Sequence, residues 1–252
     1  MEYISSFTAG AAENFSAAAL SAGILACLGK YIVYILICVA ILAALKALLP
    51  IPREVWRKSL HVIAFTSAPF MMQASGSWLI STLCFVIICI AAYPALHLAE
   101  RWRGYDDLFI QRKTGEVKKS LLLLFGCHAV LILVFWGWLN TPWVVITAIF
   151  TWGVGDIAAA LVGKNLGKHH VHLPLADRKK TWEGTAAMAA AAFITALVTL
   201  IIATDFSLPR CLLMALAAAP AAAYTELISH NGNDTVTVAS TLAVLLWLLA
   251  RV

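Results

Sequence analysis

Apolar runs of membrane-spanning length recur along this chain, separated by short polar segments. They cover about residues 31–49, 60–75, 78–98, 120–138, 143–163, 185–204, 209–228 and 236–250. A helix of roughly 20 apolar residues crosses the hydrocarbon core of a bilayer. With 62% hydrophobic and 12% charged residues over 252 positions, the chain carries more apolar surface than one aqueous globule can hide. Most of that surface must face lipid, where only helices and closed barrels satisfy their own backbone. The expected fold is all-α, a polytopic transmembrane helix bundle of about eight spans, with the second and last the shortest. Residues 15–29 are also apolar and read as an extra half-span or a surface helix, so residues 1–30 stay unassigned. No polar stretch exceeds about 20 residues, too few to fold alone. Residues 1–252 are therefore expected to form a single integral membrane domain. The opening "MEYISSFTAGAAENFSAAAL" lacks a basic n-region, which predicts no cleaved signal peptide.

The basic residues set the orientation. The loops "PREVWRK" (50–58), "ERWRGYDDLFIQRKTGEVKK" (100–119) and "GKNLGKHHVHLPLADRKK" (163–180), with Lys46 beside the first, hold 15 of the 18 Lys and Arg. The alternate loops "SGS" (75–77), "LNTP" (139–142) and "TDFSLP" (204–209) hold none. By the positive-inside rule the basic loops are cytoplasmic. The expected location is a bacterial inner membrane, with the chemistry on the cytoplasmic side and both termini opposite. The six cysteines lie in apolar runs without C-x-x-C spacing, so neither a disulfide framework nor a zinc site is expected.

The stretch "GVGDIAAALVGKNLGKHHVHLPLADRKKTWEG" (153–184) breaks the apolar pattern. Two motif matches inside it are decoys. "GVGDIA" fits G-x-G-x-x-A, but that fingerprint needs a preceding strand and a βαβ unit, whereas a membrane span precedes it here. "GKNLGKHH" lacks the P-loop spacing. The cluster "HHVH" (169–172) reads as exposed loop histidines.

Asp156 is different. A carboxylate within a span is costly, by about 3 kcal/mol on insertion scales, and is usually functional or paired. Gly153 and Gly155 let another backbone or a ligand approach it. Lys164, Lys168, Arg178, Lys179 and Lys180 follow, interleaved with glycines such as Gly167. Point charges and unobstructed backbone N–H groups suit polyphosphate, and a nearby carboxylate suits Mg²⁺, which binds one or two carboxylates plus phosphate oxygens. "YTELISHNGNDTVTV" adds Glu226 and Asp234 on the same side, and "WRKSLHV" adds Arg57, Lys58 and His61, with Arg57 and His61 on one helical face. Arg57 and Lys58 also fit side chains snorkelling to head groups. Three acids, several cations and a histidine at the cytoplasmic interface point to a Mg²⁺–nucleotide site open to membrane lipids, with no role for nucleic acid.

"GDIAAALVGKNLGKHH" followed by "RKKTWEG" resembles the signature of the CTP-dependent lipid kinases (dolichol kinase, phytol kinase and yeast-type diacylglycerol kinase). It is more distantly similar to that of the phosphatidate cytidylyltransferases. The resemblance extends to "RKSLHV", "RKTGEVKKS" and "TELISHNGNDTVTV", covering most of residues 53–238 as a catalytic core. The cytidylyltransferase pattern of K-R-x(4)-K-D continuing to H-G-G and D-R-x-D is not found, and the "E…GNDTVTV" segment looks like the phytol and dolichol kinase branch. Asn233 and Thr235 stand where D-D-N is expected, and Ala239 stands near an expected proline.

The resemblance implies a kinase that moves the γ-phosphoryl group of CTP, with Mg²⁺, to the hydroxyl of a lipid alcohol (polyprenol, dolichol, phytol or diacylglycerol). It implies Asp156 on the metal with Glu226 or Asp234, the other acting as base. Lys164, Lys168, Lys179 and Lys180 would hold the triphosphate beside Gly155 and Gly167, with Thr181 and Glu183 ordering the loop. Arg57, Lys58 and His61 would line the substrate entrance. The alternatives are a phosphatidate cytidylyltransferase and a non-catalytic transporter or scaffold.

Overall fold

A computed structural model describes residues 16–101, 105, 115–173, 176–177, 180–230 and 232–252. Among these residues the backbone is helical, and the one extended pairing is an isolated antiparallel bridge between His170 and Thr181. The helices are α1 (Ala17–Leu48), α2 (Arg53–Ser75), α3 (Trp78–Ala99), α4 (Glu116–Leu131), α5 (Pro142–Leu166), α6 (Trp182–Ala203), α7 (Leu208–Ile228) and α8 (Asp234–Leu249). A π-helical segment, Ile132–Trp138, prolongs α4. Six helices are long and apolar enough to cross a membrane. Of the remaining two, α2 opens on the charged residues Arg53, Glu54, Arg57 and Lys58, and α8 has only 16 residues, about 24 Å of helix.

Of the stretch 15–29, the described residues do not form a separate half-span or surface helix. From Ala17 they run without a break into the first span as one helix of 32 residues. No proline interrupts Ala17–Leu48, and Ser16 caps its start by accepting the Ala19 N–H, so nothing local stops the helix at the expected boundary. The described helices fall into two compact units, α1–α4 within Ser6–Asn140 and α5–α8 within Thr141–Val252.

In the first unit α1 and α2 lie antiparallel. The Tyr34 hydroxyl shares a hydrogen bond with the Thr66 hydroxyl at 2.7 Å, and the Tyr34 and Phe70 rings stack at 4.3 Å. Gly76 ends α2 in the left-handed region at φ 64°, and Ser77 caps α3 by accepting the Ile80 N–H. Phe85 of α3 packs on Phe125 and on the buried His128 of α4. A Cβ at Gly137, in the π-helical segment, would stand 2.7 Å from the Trp78 ring, so only glycine admits that indole.

The second unit is a closed ring of four helices. Neighbours α5–α6, α6–α7 and α7–α8 pack on one another, and α8 packs back on α5. Short connections alternate the helix directions, which brings the 167–181 loop and the 229–233 turn to one end. Lipid tails are as apolar as leucine, so close backbone approach must hold such helices together. The α5–α6 contact shows how. Gly155, Ala159 and Gly163 recur every four residues on α5 and face Gly184 and Met188 of α6. A Cβ on Gly184 would lie 3.0 Å from the Ala159 carbonyl oxygen and 3.2 Å from the Gly163 Cα. On α6 the buried residues Gly184, Met188, Ala192, Ala196 and Leu200 continue the same stripe. Pro220 stands inside α7 without ending it.

Gly184→Val should force α5 from α6 and destabilise this unit by about 1–3 kcal/mol, the usual cost of overpacking. Thermal unfolding in detergent should show a lowered midpoint, whereas Ala190→Val on the exposed face of α6 should leave it unchanged.

Candidate functional site

The site is built at the loop end of the four-helix ring. Its first part is the seat of the 167–181 loop. Thr181 caps α6 by accepting the Gly184 N–H at 3.2 Å, and it is 5% exposed. Its side chain fills the space that glycine leaves at two positions of α5 and the loop. A Cβ on Gly163 would meet the Thr181 hydroxyl at 3.2 Å, and one on Gly167 would collide with the Gly163 carbonyl and the Thr181 side chain. The glycines of "GKNLG" thus make room for the threonine of "KKTWEG". At Gly155 the neighbour that comes close is Met188, whose sulfur would lie 2.5 Å from an added Cβ.

Two strands of contact close the loop onto α6. The Val171 N–H donates to the Lys180 carbonyl at 3.0 Å and the Trp182 N–H to the His169 carbonyl at 2.9 Å, flanking the His170–Thr181 bridge. The Glu183 carboxylate accepts the His169 N–H at 3.3 Å and pairs with His169 Nδ1 at 2.6 Å. Val171 and Ala176 bury their side chains against Leu227 at the end of α7, and the Asp177 N–H donates to the Leu227 carbonyl at 3.2 Å.

Lys180 carries the electrostatics. Its ammonium donates to Glu226 Oε1 at 2.6 Å and also to the Glu226 backbone carbonyl. The two side chains are only 18% and 10% exposed. Asp156 of α5 and Asp234 at the first turn of α8 are both within electrostatic reach of the Glu226 carboxylate. Three acids from three helices therefore share this end of the ring with one largely buried ammonium. Lys164 in the last turn of α5 and Lys168 in the loop are exposed. Lys168, His169, His170, His172 and Trp182 line an open depression of about 780 Å³. Lys179 and Arg178 lie outside the described residues.

The turn between α7 and α8 is tied by the Ser229 and Thr237 hydroxyls, 2.6 Å apart, and by a left-handed Gly232 at φ 75°. Asp234 opens α8 just after this turn.

In the first unit Arg57 forms an ion pair with Glu54 one turn earlier on α2. Lys58 is only 6% exposed, so it does not extend freely outward from α2. His61 is half-buried and meets Phe65 edge-on at 5.7 Å. A second ion pair joins Lys118 of α4 to Glu100 at 3.1 Å, beside the Tyr93 ring.

Some partners were not anticipated from sequence. His169 as the anchor for Glu183, 14 residues away, has no spacing rule to announce it. Val171 and Ala176 gave a readable signal, being apolar residues in a loop otherwise rich in charge. "GVGDIA" lies wholly inside α5, which excludes a dinucleotide-binding turn. All six cysteines are free thiols. Among the described residues no three His, Cys, Asp or Glu side chains are grouped so as to cage a metal ion.

The sequence profile of the cytidylyltransferase family matches residues 14–249. The chain belongs to the cytidylyltransferase family. The match takes in every described helix and every residue of the site above, so the loop seat and the Lys180–Glu226 pair belong to the family domain and not to an appendage. Family membership marks the chain as a transferase-type enzyme. Neither curated proteins nor solved structures give a match.

Removing Lys180 while Glu226 stays leaves a buried carboxylate without its cation. Lys180→Met should therefore lower stability by about 3 kcal/mol. Adding Glu226→Gln should recover part of that loss, with a coupling energy of about 1–3 kcal/mol in a double-mutant cycle read by thermal unfolding.

Proposed function

We propose that this member of the cytidylyltransferase family is a CTP-dependent kinase that phosphorylates the hydroxyl of a membrane lipid alcohol. The observation that carries the reading is the Lys180–Glu226 ion pair where the lysine-rich loop docks, with Asp156 and Asp234 in electrostatic reach of Glu226. Phosphoryl transfer requires mainly positioning and neutralisation of charge on phosphate oxygens. A set of acids next to several ammonium groups is suited to both.

A three-residue protein cage is missing among the described residues, but Mg²⁺ keeps several waters and takes one or two carboxylates together with substrate phosphates. Asp156 and Asp234, carboxylates on neighbouring helices in electrostatic reach of Glu226, are of the kind that meets that requirement. Bound there with the nucleotide, Mg²⁺ would supply further neutralisation of the phosphate oxygens.

The chain's own residues do the rest. Lys164 and Lys168 on the exposed rim attract the triphosphate, and Lys179 is assigned to the same task. Lys180 sits between Glu226 and the phosphates and balances both. The alcohol oxygen attacks the γ-phosphorus as the bond from that phosphorus to the β,γ-bridging oxygen breaks, and CDP leaves. The hydroxyl proton passes to a carboxylate, for which Glu226 is the candidate. Arg57, Lys58 and His61 are assigned to the head-group level of the substrate entrance. The basic loops place this chemistry on the cytoplasmic face by the positive-inside rule. Substrates in this class are polyprenol, dolichol, phytol and diacylglycerol.

The second reading is phosphatidate cytidylyltransferase, with which membership of the family is equally compatible. There the phosphate of the lipid attacks the α-phosphorus of CTP and pyrophosphate leaves. One assay separates the two. Purified protein with Mg²⁺, CTP labelled at the α or γ position, and phytol, undecaprenol, dolichol, diacylglycerol or phosphatidate in mixed micelles should transfer only γ label, and to an alcohol. Asp156→Asn should cut that transfer by about a hundredfold or more. Label reaching lipid from the α position with phosphatidate would establish the second reading instead.

A further inference from the structure

Three of the 18 basic residues lie away from the basic loops: Lys30, Arg210 and Arg251. Two of these have aromatic partners. Arg210 sits over the Phe206 ring and donates to the Ala250 carbonyl, and Arg251 sits over Trp247. Lys30 has a different setting. Its ammonium donates to the Ala74 carbonyl at 3.0 Å, which uses one of its three N–H donors and fixes it at the end of α2.

There it stands at the rim of a groove of about 530 Å³ between α1 and α2. Val33, Ile37, Tyr34 and Phe70 form the body of the groove, and Gln73 adds an amide beside Lys30 at the rim. The stacked Tyr34 and Phe70 rings give it a flat wall. Val33 and Ile37 are each 54% exposed, so the groove opens outward from the unit.

Its depth is set by the helix. Lys30 and Lys46 are 16 residues apart on α1, about 24 Å. The residues between them are uncharged, and the two side chains extend away from each other along α1, which brings their ammonium groups toward opposite edges of the hydrocarbon layer. Lys46 rests over Trp56 near the start of α2, on the side of the basic loops. Lys30 marks the opposite interface, near the Gly76 turn. No acid occurs in residues 16–53 or 59–99, so neither α1, α3 nor the last four turns of α2 offers Lys30 a counter-ion.

We propose that this groove binds an anionic phospholipid of the leaflet opposite the basic loops. Its phosphate lies on Lys30 and Gln73, and one acyl chain runs along Val33, Ile37 and the Tyr34–Phe70 wall. Charge selects the occupant: an ammonium with two N–H donors left over from its bond to Ala74, beside an amide donor at the end of an apolar groove, is complementary to a phosphodiester with net negative charge. In a zwitterionic lipid the choline cation sits beside the phosphate and weakens the attraction.

Native mass spectrometry of the full chain in detergent tests this, using equimolar phosphatidylglycerol and phosphatidylcholine with identical chains. Wild type should retain one phosphatidylglycerol in preference to phosphatidylcholine by about fivefold. Lys30→Gln should bring the two to parity, Lys30→Arg should keep the preference, and Val33→Trp, which fills the groove, should lower retention of both. Lys30 and Val33 are exposed, so their replacement is compatible with folding. Equal retention of the two lipids by wild type, or an unchanged preference in Lys30→Gln, would overturn the proposal. A dimer that forms without lipid and is broken by Val33→Trp would assign the groove to a second copy and overturn it equally. The readout is bound mass and does not depend on which reaction the enzyme catalyses.

Discussion

The close approach of α5 and α6 is the constraint from which the rest of the second unit follows. In lipid these helices gain nothing by hiding apolar side chains from one another, so their association rests on backbone contact and packing. Gly155, Ala159 and Gly163 supply a flat strip on α5, and Gly184 with the small side chains beyond it supplies the other on α6. With the backbones that close, the first turn of α6 arrives beside the last turns of α5. Thr181 then reaches the gap at Gly163 and Gly167, and a loop of more than a dozen residues is pinned at both ends to one spot. The loop carries the cations, so the packing of two helices decides where positive charge is presented.

The second consequence is electrostatic. Pinning the loop delivers Lys180 to Glu226 on α7, and the closure of α8 onto α5 delivers Asp156 and Asp234 to the same neighbourhood. One carboxylate paired with a largely buried ammonium, with two further carboxylates in electrostatic reach of the first, gives this end of the unit more acids than the single buried cation balances. Such an excess invites a divalent cation, and the exposed Lys164 and Lys168 invite the anion that would come with it. The arrangement is mixed in sign, as a site for a metal-bound polyphosphate must be.

Much of this was legible in the sequence because it rests on local pattern. The eight apolar runs each fall in a helix, since length and hydropathy determine a membrane span without reference to tertiary contacts. Asp156, Lys180, Glu226 and Asp234 stood out as polar groups beside apolar runs, which is a local signal too. What stayed hidden is pairwise. Lys180 and Glu226 are 46 residues apart, and no periodicity links them. Gly155 looked like room for a ligand, but Met188 of the next helix takes that room. Lys58 had the sequence of a snorkelling side chain and is buried, because burial depends on neighbours in space. The continuous α1 was missed for another reason: the apolar stretch was divided at about residue 30, where Lys30 interrupts it, but a helix stops only where its backbone hydrogen bonds can be met otherwise.

The central claim is that this mixed-sign cluster binds the metal–nucleotide complex. Calorimetric titration of CTP into the purified protein in detergent, with and without Mg²⁺, tests it most directly when repeated on Lys180→Gln and Asp156→Asn variants shown to be folded. The account predicts Mg²⁺-dependent binding by wild type, weakened by about tenfold or more in each variant, as expected for loss of a charge-assisted contact. Equal binding by all three proteins, or binding by wild type that ignores Mg²⁺, would contradict it.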